Sequence, residues 1–172
     1  MPPHRSLFIV IPITVLITAI CYRPVSVGVY RLAEPNFRNP IITASGSLKI
    51  RCDSAGDGEF GAKRSSGRSH SGIDITAPVG TAVYAAKSGM AFCGNVPSGY
   101  GKYVMIYHPD GYQTFYGHLK DWSFKGPRRV RRGDLIGTVG KTGNAASKIV
   151  EPHLHFEIRR NGDPIDPIPL IK

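Results

Sequence analysis

The stretch KYVMIYHPDGYQTFYGHL, residues 102–119, decides the fold class. Lys102 to His108 is β-branched and aromatic, Pro109-Asp110-Gly111 is turn chemistry, and Tyr112 to His118 returns. Two such runs around a Gly-containing turn make a β-hairpin. His108, next to the turn, is expected at the surface.

Strand signals recur on both sides of this hairpin. GIDI precedes it, followed by APVGTAVYAA with a turn at Pro78-Val79-Gly80, then SGMAFCG. After it come RRGDLIGTVGKTGN and HLHFEIRR, the latter closed by the turn NGDP. Upstream, IITASGSLKI reads as one or two strands around a Ser-Gly turn, and residues 53–69 as a long polar loop, a kind of segment that is often functional. No helical period of useful length appears outside the N-terminus. The 172 residues suffice for one domain with a core plus a short extra segment, and 20 Gly with 14 Pro favour short strands. The expected fold is all-β, built from short antiparallel strands.

The expected division is a targeting segment over 1–22, a linker over 23–40 containing Pro24, Pro35 and Pro40, and a folded domain over 41–172. MPPHRSLFIVIPITVLITAICYR has a basic start and an apolar run from Leu7 to Cys21. That run is short for a transmembrane helix and suits a signal peptide or a retained anchor. The expected location is outside the cytoplasm: periplasmic, cell-envelope or extracellular, with membrane contact only through this segment. Cys52 and Cys93 could pair there or stay as free thiols. The absence of CxxC argues against a thiolate zinc site. A formal net charge of +10 points to an anionic partner. A nucleic acid would rest on charge alone, and none is expected.

Four of the six histidines fall in three motifs. In SHSGIDI, His70 and Asp74 flank Gly72, which lets the chain bend and aim both side chains at one point. Imidazole nitrogen and carboxylate oxygen are zinc ligands. In HLHFE, strand alternation puts His153 and His155 on one face, with Glu157 following as an orienting group or a rim charge. In YGHL, His118 ends the returning strand of the hairpin. A catalytic zinc site takes three protein ligands and keeps one position open. His70, Asp74 and one of the paired histidines supply three. The other, with His118, remains for general-base and oxyanion-stabilising roles. No HExxH helix is present.

In combination, GRSHSGIDI, APVGTAVYAAKSG, YGHL, VRRGDLIGTVGKTGN and PHLHFEIRRNGDPIDP, in this order, resemble the M23 peptidases, the lysostaphin- or LytM-type endopeptidases of peptidoglycan. The resemblance covers roughly residues 50–168. It implies a compact antiparallel β-sheet groove with one zinc ion per chain at its floor. His70, Asp74 and His155 look like the zinc ligands, and His118 and His153 like the catalytic pair, with the general base of the two left open. It further implies a zinc metalloendopeptidase that hydrolyses peptide cross-links or stem peptides at an anionic cell-wall surface, acting as a monomer. Some relatives of this fold serve instead as zinc-stabilised binding, regulatory or signalling modules without turnover. The presence of both candidate catalytic histidines favours the enzyme.

Overall fold

A computed structural model describes residues 22, 24–43, 47–64 and 67–172. The expected targeting segment, with His4 and Cys21, and the Ser45-Gly46 turn lie outside the described residues. Among the described residues no helix is long and apolar enough to cross a membrane. Residues 24–33 are helical, where an irregular linker is expected.

The second compact unit is Asn36–Lys172. It begins five residues before the expected boundary because Phe37 and Ile41 are buried in the core. Phe37 is further tied to the C-terminus by backbone bonds from its N–H to the Leu170 carbonyl and from the Lys172 N–H to its own carbonyl. Residues 41–43 and 47–49 lie in no strand, and Ile50 makes a single bridge to Ile75.

A small hairpin pairs β1 (Cys52–Asp53) with β2 (Gly56–Asp57). The remaining strands are β3 (Ile73–Thr76), β4 (Ala82–Tyr84), β5 (Gly89–Val96), β6 (Gly101–Tyr107), β7 (Tyr112–Trp122), β8 (Arg128–Val130), β9 (Leu135–Val139), β10 (His153–Arg160) and β11 (Asp163–Ile165). They form one antiparallel sheet with the path β11-β10-β7-β6-β5-β8, to which β3 adds on β10 and β9 joins β7 to β4. The all-β expectation is met.

The hairpin of residues 102–119 is β6–β7, but β7 does not stop at His118. It continues to Trp122 through register shifts, pairing with β9 beyond Leu119. Turn residue Asp110 is buried in an ion pair with Lys87, and His108 is buried rather than exposed. The His108 Nδ1 meets the Ser88 carbonyl and its Nε2 the Thr114 hydroxyl, so the turn folds back onto the core instead of standing in solvent. Cys52 and Cys93 are both free thiols.

β10 organises the core. Leu154, Phe156 and Ile158 point one way into the apolar cluster with Ile73, Ile75, Val104, Tyr116 and Leu119. His153, His155 and Glu157 point the other way, as strand alternation requires. Burial of an apolar side chain contributes about 1.5–3 kcal/mol, so the alternating residues Leu154, Phe156 and Ile158 alone hold this register firmly.

Candidate metal centre

One row of the sheet builds the centre. Asp74 on β3 lies opposite His155 on β10, and His155 lies opposite Gly117 on β7. Cross-strand partners share a face, so Asp74 and His155 meet directly. Gly117 leaves their row open, since a side chain there would press on the His155 Cβ. His70 joins from the segment before β3. Gly72 makes that approach possible: a Cβ at this position would collide with the Phe156 carbonyl and lie 2.8 Å from Glu157 Cγ.

Three ring or carboxylate atoms converge. His155 Nδ1 is 2.8 Å from Asp74 Oδ1 and 3.0 Å from His70 Nε2, and His70 Nε2 is 3.1 Å from Asp74 Oδ1. Bonds of 2.0–2.1 Å to a tetrahedral ion put neighbouring ligand atoms about 3.3 Å apart. The observed triangle is a few tenths of an ångström tighter, and these three residues could hold one metal ion.

The other ring nitrogens are held by acceptors. His70 Nδ1–H donates to the Glu59 carbonyl at 2.8 Å, and His155 Nε2–H to Glu157 Oε1 at 2.9 Å. Asp74 Oδ2 accepts from Arg51 Nη2 and Arg64 Nη2, both at 3.0 Å, which leaves Oδ1 for the centre. Outer hydrogen bonds of this kind orient metal-binding groups. Burial disfavours charge on Asp74, but bonds from His155 and His70 outweigh it and hold the carboxyl far below its ordinary range. Burial also opposes charge on His155, yet Asp74 and Glu157 raise the imidazole to about 9. In the metal-free protein a proton on His155 Nδ1 therefore fills the space between the three atoms. A cation suits the same donor set.

His118 and His153 face each other edge-on, with ring centroids 4.9 Å apart, and His118 lies 5.8 Å from His155. His153 follows from strand alternation. His118 does not: Gly117 shares the row with His155, so a regular strand would send His118 into the core. Its φ of 60° turns it back to the centre, a left-handed conformation that residues other than Gly adopt in only a few per cent of cases. The His118 N–H donates to the Tyr100 carbonyl, and its Nδ1–H to the Thr142 carbonyl at 2.8 Å. His153 Nδ1–H donates to the Glu151 carbonyl at 2.7 Å. Each ring thus offers an Nε2 lone pair. Burial, with His155 and His153 nearby, lowers the His118 imidazole to about 3, and burial lowers His153 too. Both are neutral at pH 7.

A groove of about 650 Å³ opens over these residues. Arg51, Arg64, Arg68 and Arg159 line it, with Asp74 as the acidic residue of its lining. Sequence reasoning brings together all five histidine and aspartate positions that meet here. It does not find Arg51, Arg64, Tyr100 or the carbonyls of Glu59 and Thr142. Tyr100 donates to Glu157 Oε1 at 2.9 Å. No motif announces these groups, since backbone carbonyls leave no mark in a sequence. Glu157 is an orienting group rather than a rim charge, with no exposed surface. Burial opposes its charge, but His155, Ser71 and Arg159 bring its carboxyl down to about 2.

Known proteins are similar to this chain over part of their length. The chain is 44% identical over 101 residues to the DD-carboxypeptidase/endopeptidase Mpg of Neisseria meningitidis, covering 59% of this chain and 22% of that protein. It is 37% identical over 135 residues to the cell division protein DipM of Caulobacter vibrioides, covering 73% and 21%. The chain thus spans about a fifth of the length of these curated relatives. Among solved structures, a zinc-containing peptidase from Vibrio cholerae superposes with a TM-score of 0.59 at 29% identity, covering 76% of this chain and 38% of that one. The model of peptidase family M23 matches residues 68–167, more than half of the chain. With that match over the residues that build the centre, the chain belongs to peptidase family M23.

Proposed function

We propose that this protein is a zinc-dependent endopeptidase that hydrolyses peptide cross-links or stem peptides of bacterial peptidoglycan, outside the cytoplasm and as a monomer. His70, Asp74 and His155 are the proposed zinc ligands, and His118 and His153 the proposed catalytic pair. The observation that carries this reading is the convergence of His70 Nε2, Asp74 Oδ1 and His155 Nδ1 within 3.1 Å beside two further neutral imidazoles. The similarity to the peptidoglycan DD-endopeptidase ShyC of Vibrio cholerae, 40% identical over 95 residues, supports the substrate class. The arginine-lined groove supports an anionic wall surface.

Zinc in this centre supplies Lewis acidity toward the scissile carbonyl and lowers the pKa of water. The residues of the chain supply the proton handling. His118 and His153 each hold Nδ1–H on a backbone carbonyl, so both enter the reaction as acceptors at Nε2. One of them takes a proton from the attacking water and becomes a donor. As an imidazolium it stabilises the developing oxyanion or passes the proton to the leaving amine.

The test uses the full chain: bound zinc is measured, and release of soluble muropeptides from isolated walls is followed by mass. One zinc per chain with release is expected. One zinc without release, across several wall types, would leave a zinc-stabilised module and end the enzyme reading.

A further inference from the structure

Asp74 carries two guanidinium groups on the oxygen that faces away from the centre, and they are not equivalent. Arg51 is buried, and its second nitrogen is engaged by Asp53, so its charge is shared between two carboxylates. Asp53 is held in turn by the Glu151 N–H. Arg64 is different. Its Nη2 donates to Asp74 Oδ2 at 3.0 Å, while its Nη1 donates to the neutral carbonyl of Asp57 at 2.9 Å. Among the described residues Asp74 is the one carboxylate it pairs with. It lies between β2 and β3, where the Arg64 N–H bonds the Arg68 carbonyl and Lys63 bridges Ser69.

The charge balance around the centre follows. Glu157 is paired with Arg159, and Asp53 with Arg51. Arg64 then offsets the charge of Asp74 itself. A carboxylate whose outer oxygen is held by a cation presents less negative charge at its inner oxygen, and a cation on the far side of the carboxylate also repels a divalent ion held there. Arg64 is not needed to keep Asp74 ionised, because Arg51 occupies the same oxygen.

We infer that Arg64 is a positioning residue that draws the charge of Asp74 away from the metal centre, lowering zinc affinity while raising the Lewis acidity of the bound ion. The inference rests on the zinc reading above. It runs opposite in sign to a propping role. If Arg64 only held Asp74 in place, its loss would weaken zinc binding. As a charge withdrawer, its loss tightens binding.

The full chain, stripped with a chelator, is titrated with zinc against a chromophoric competitor in the wild type, R64Q, R64M and R64K, with thermal melts to confirm folding. Loss of Arg64 leaves the buried Asp74 carboxylate paired with Arg51, and the melts report whatever stability the lost ion pair costs. Both neutral variants are expected to bind zinc about tenfold more tightly, and R64K, which keeps the charge, to stay within about twofold of wild type. Where wall hydrolysis is measured, the acid limb of its pH profile moves to higher pH in R64Q and R64M. A folded neutral variant that binds zinc equally or more weakly overturns the inference while leaving the zinc reading intact. A wild-type chain that binds no zinc overturns both.

Discussion

His155 and Glu157 lie two residues apart on one face of β10, and the His155 Nε2–H donates to Glu157 Oε1 at 2.9 Å. That bond selects which ring nitrogen faces Asp74 and His70. Glu157→Gln keeps the shape but can turn an amide N–H toward the ring, which puts the proton on Nδ1 instead. It also leaves the Arg159 guanidinium without its carboxylate. Zinc affinity is expected to fall by about 10- to 100-fold and stability by about 3–5 kcal/mol. Competition titration and urea melts measure the two, and an unchanged zinc Kd would mean that the tautomer is set elsewhere.

Binding of zinc should release a proton. The His155 imidazole, raised to about 9, is charged at pH 7 in the metal-free chain, and the ion takes the place of its Nδ1 proton. Calorimetry in buffers of different protonation enthalpy should report about one proton released per zinc at pH 7, declining as pH rises through about 9.

The metal-free chain should melt highest near pH 6.5. The raised His155 contributes stability that is present below its unfolded value and lost as pH rises toward about 9. His118 is lowered to about 3, so the unfolded chain binds the extra proton and stability falls as pH drops below the unfolded value. Glu157, lowered to about 2, adds a loss at still lower pH. A melting temperature that climbs steadily from pH 6 to pH 9 would contradict the charged state of His155.

His118→Ala and His118→Gly remove the same side-chain chemistry, and both should retain zinc while losing wall hydrolysis. They differ only at the backbone, where φ is 60°. The glycine variant should be more stable than the alanine variant by about 1 kcal/mol. Equal melting temperatures would show that the backbone relaxes when the imidazole is removed.

Gly72→Ala should disturb the centre from behind. The added methyl group meets the Phe156 carbonyl and Glu157 Cγ, both fixed in β10. A cost of about 1–3 kcal/mol or more is expected, with weaker zinc binding because β3 can no longer lie against β10. Thermal melts and zinc titration check both effects.

Much of this was legible in the sequence, for specific reasons. Alternation in HLHFE places His153 and His155 together because a strand has a period of two, and the apolar residues between them are strong enough to hold the register. The hairpin of residues 102–119 reads correctly because its turn chemistry is local. Legibility ends where long-range packing decides. His108 looks like a surface turn residue, yet the carbonyl of Ser88, 20 residues away, draws it inside. His118 reaches the centre through a backbone torsion that no residue type signals. Residues 36–40 look like linker because their one large apolar side chain, Phe37, packs on the distant rings of His108 and Tyr112 while its backbone pairs with Leu170 and Lys172.

The pairing of Asp74 with His155 joins residues 81 positions apart. An emerging chain therefore cannot bring the three proposed ligands together until residue 155 has been made and β10 has docked between β3 and β7. Occupancy of the site becomes a certificate of completed folding, and a truncated or unfolded chain competes poorly for scarce metal. Where a cell threads this polypeptide through a membrane in extended form, the ion has to be acquired on the far side.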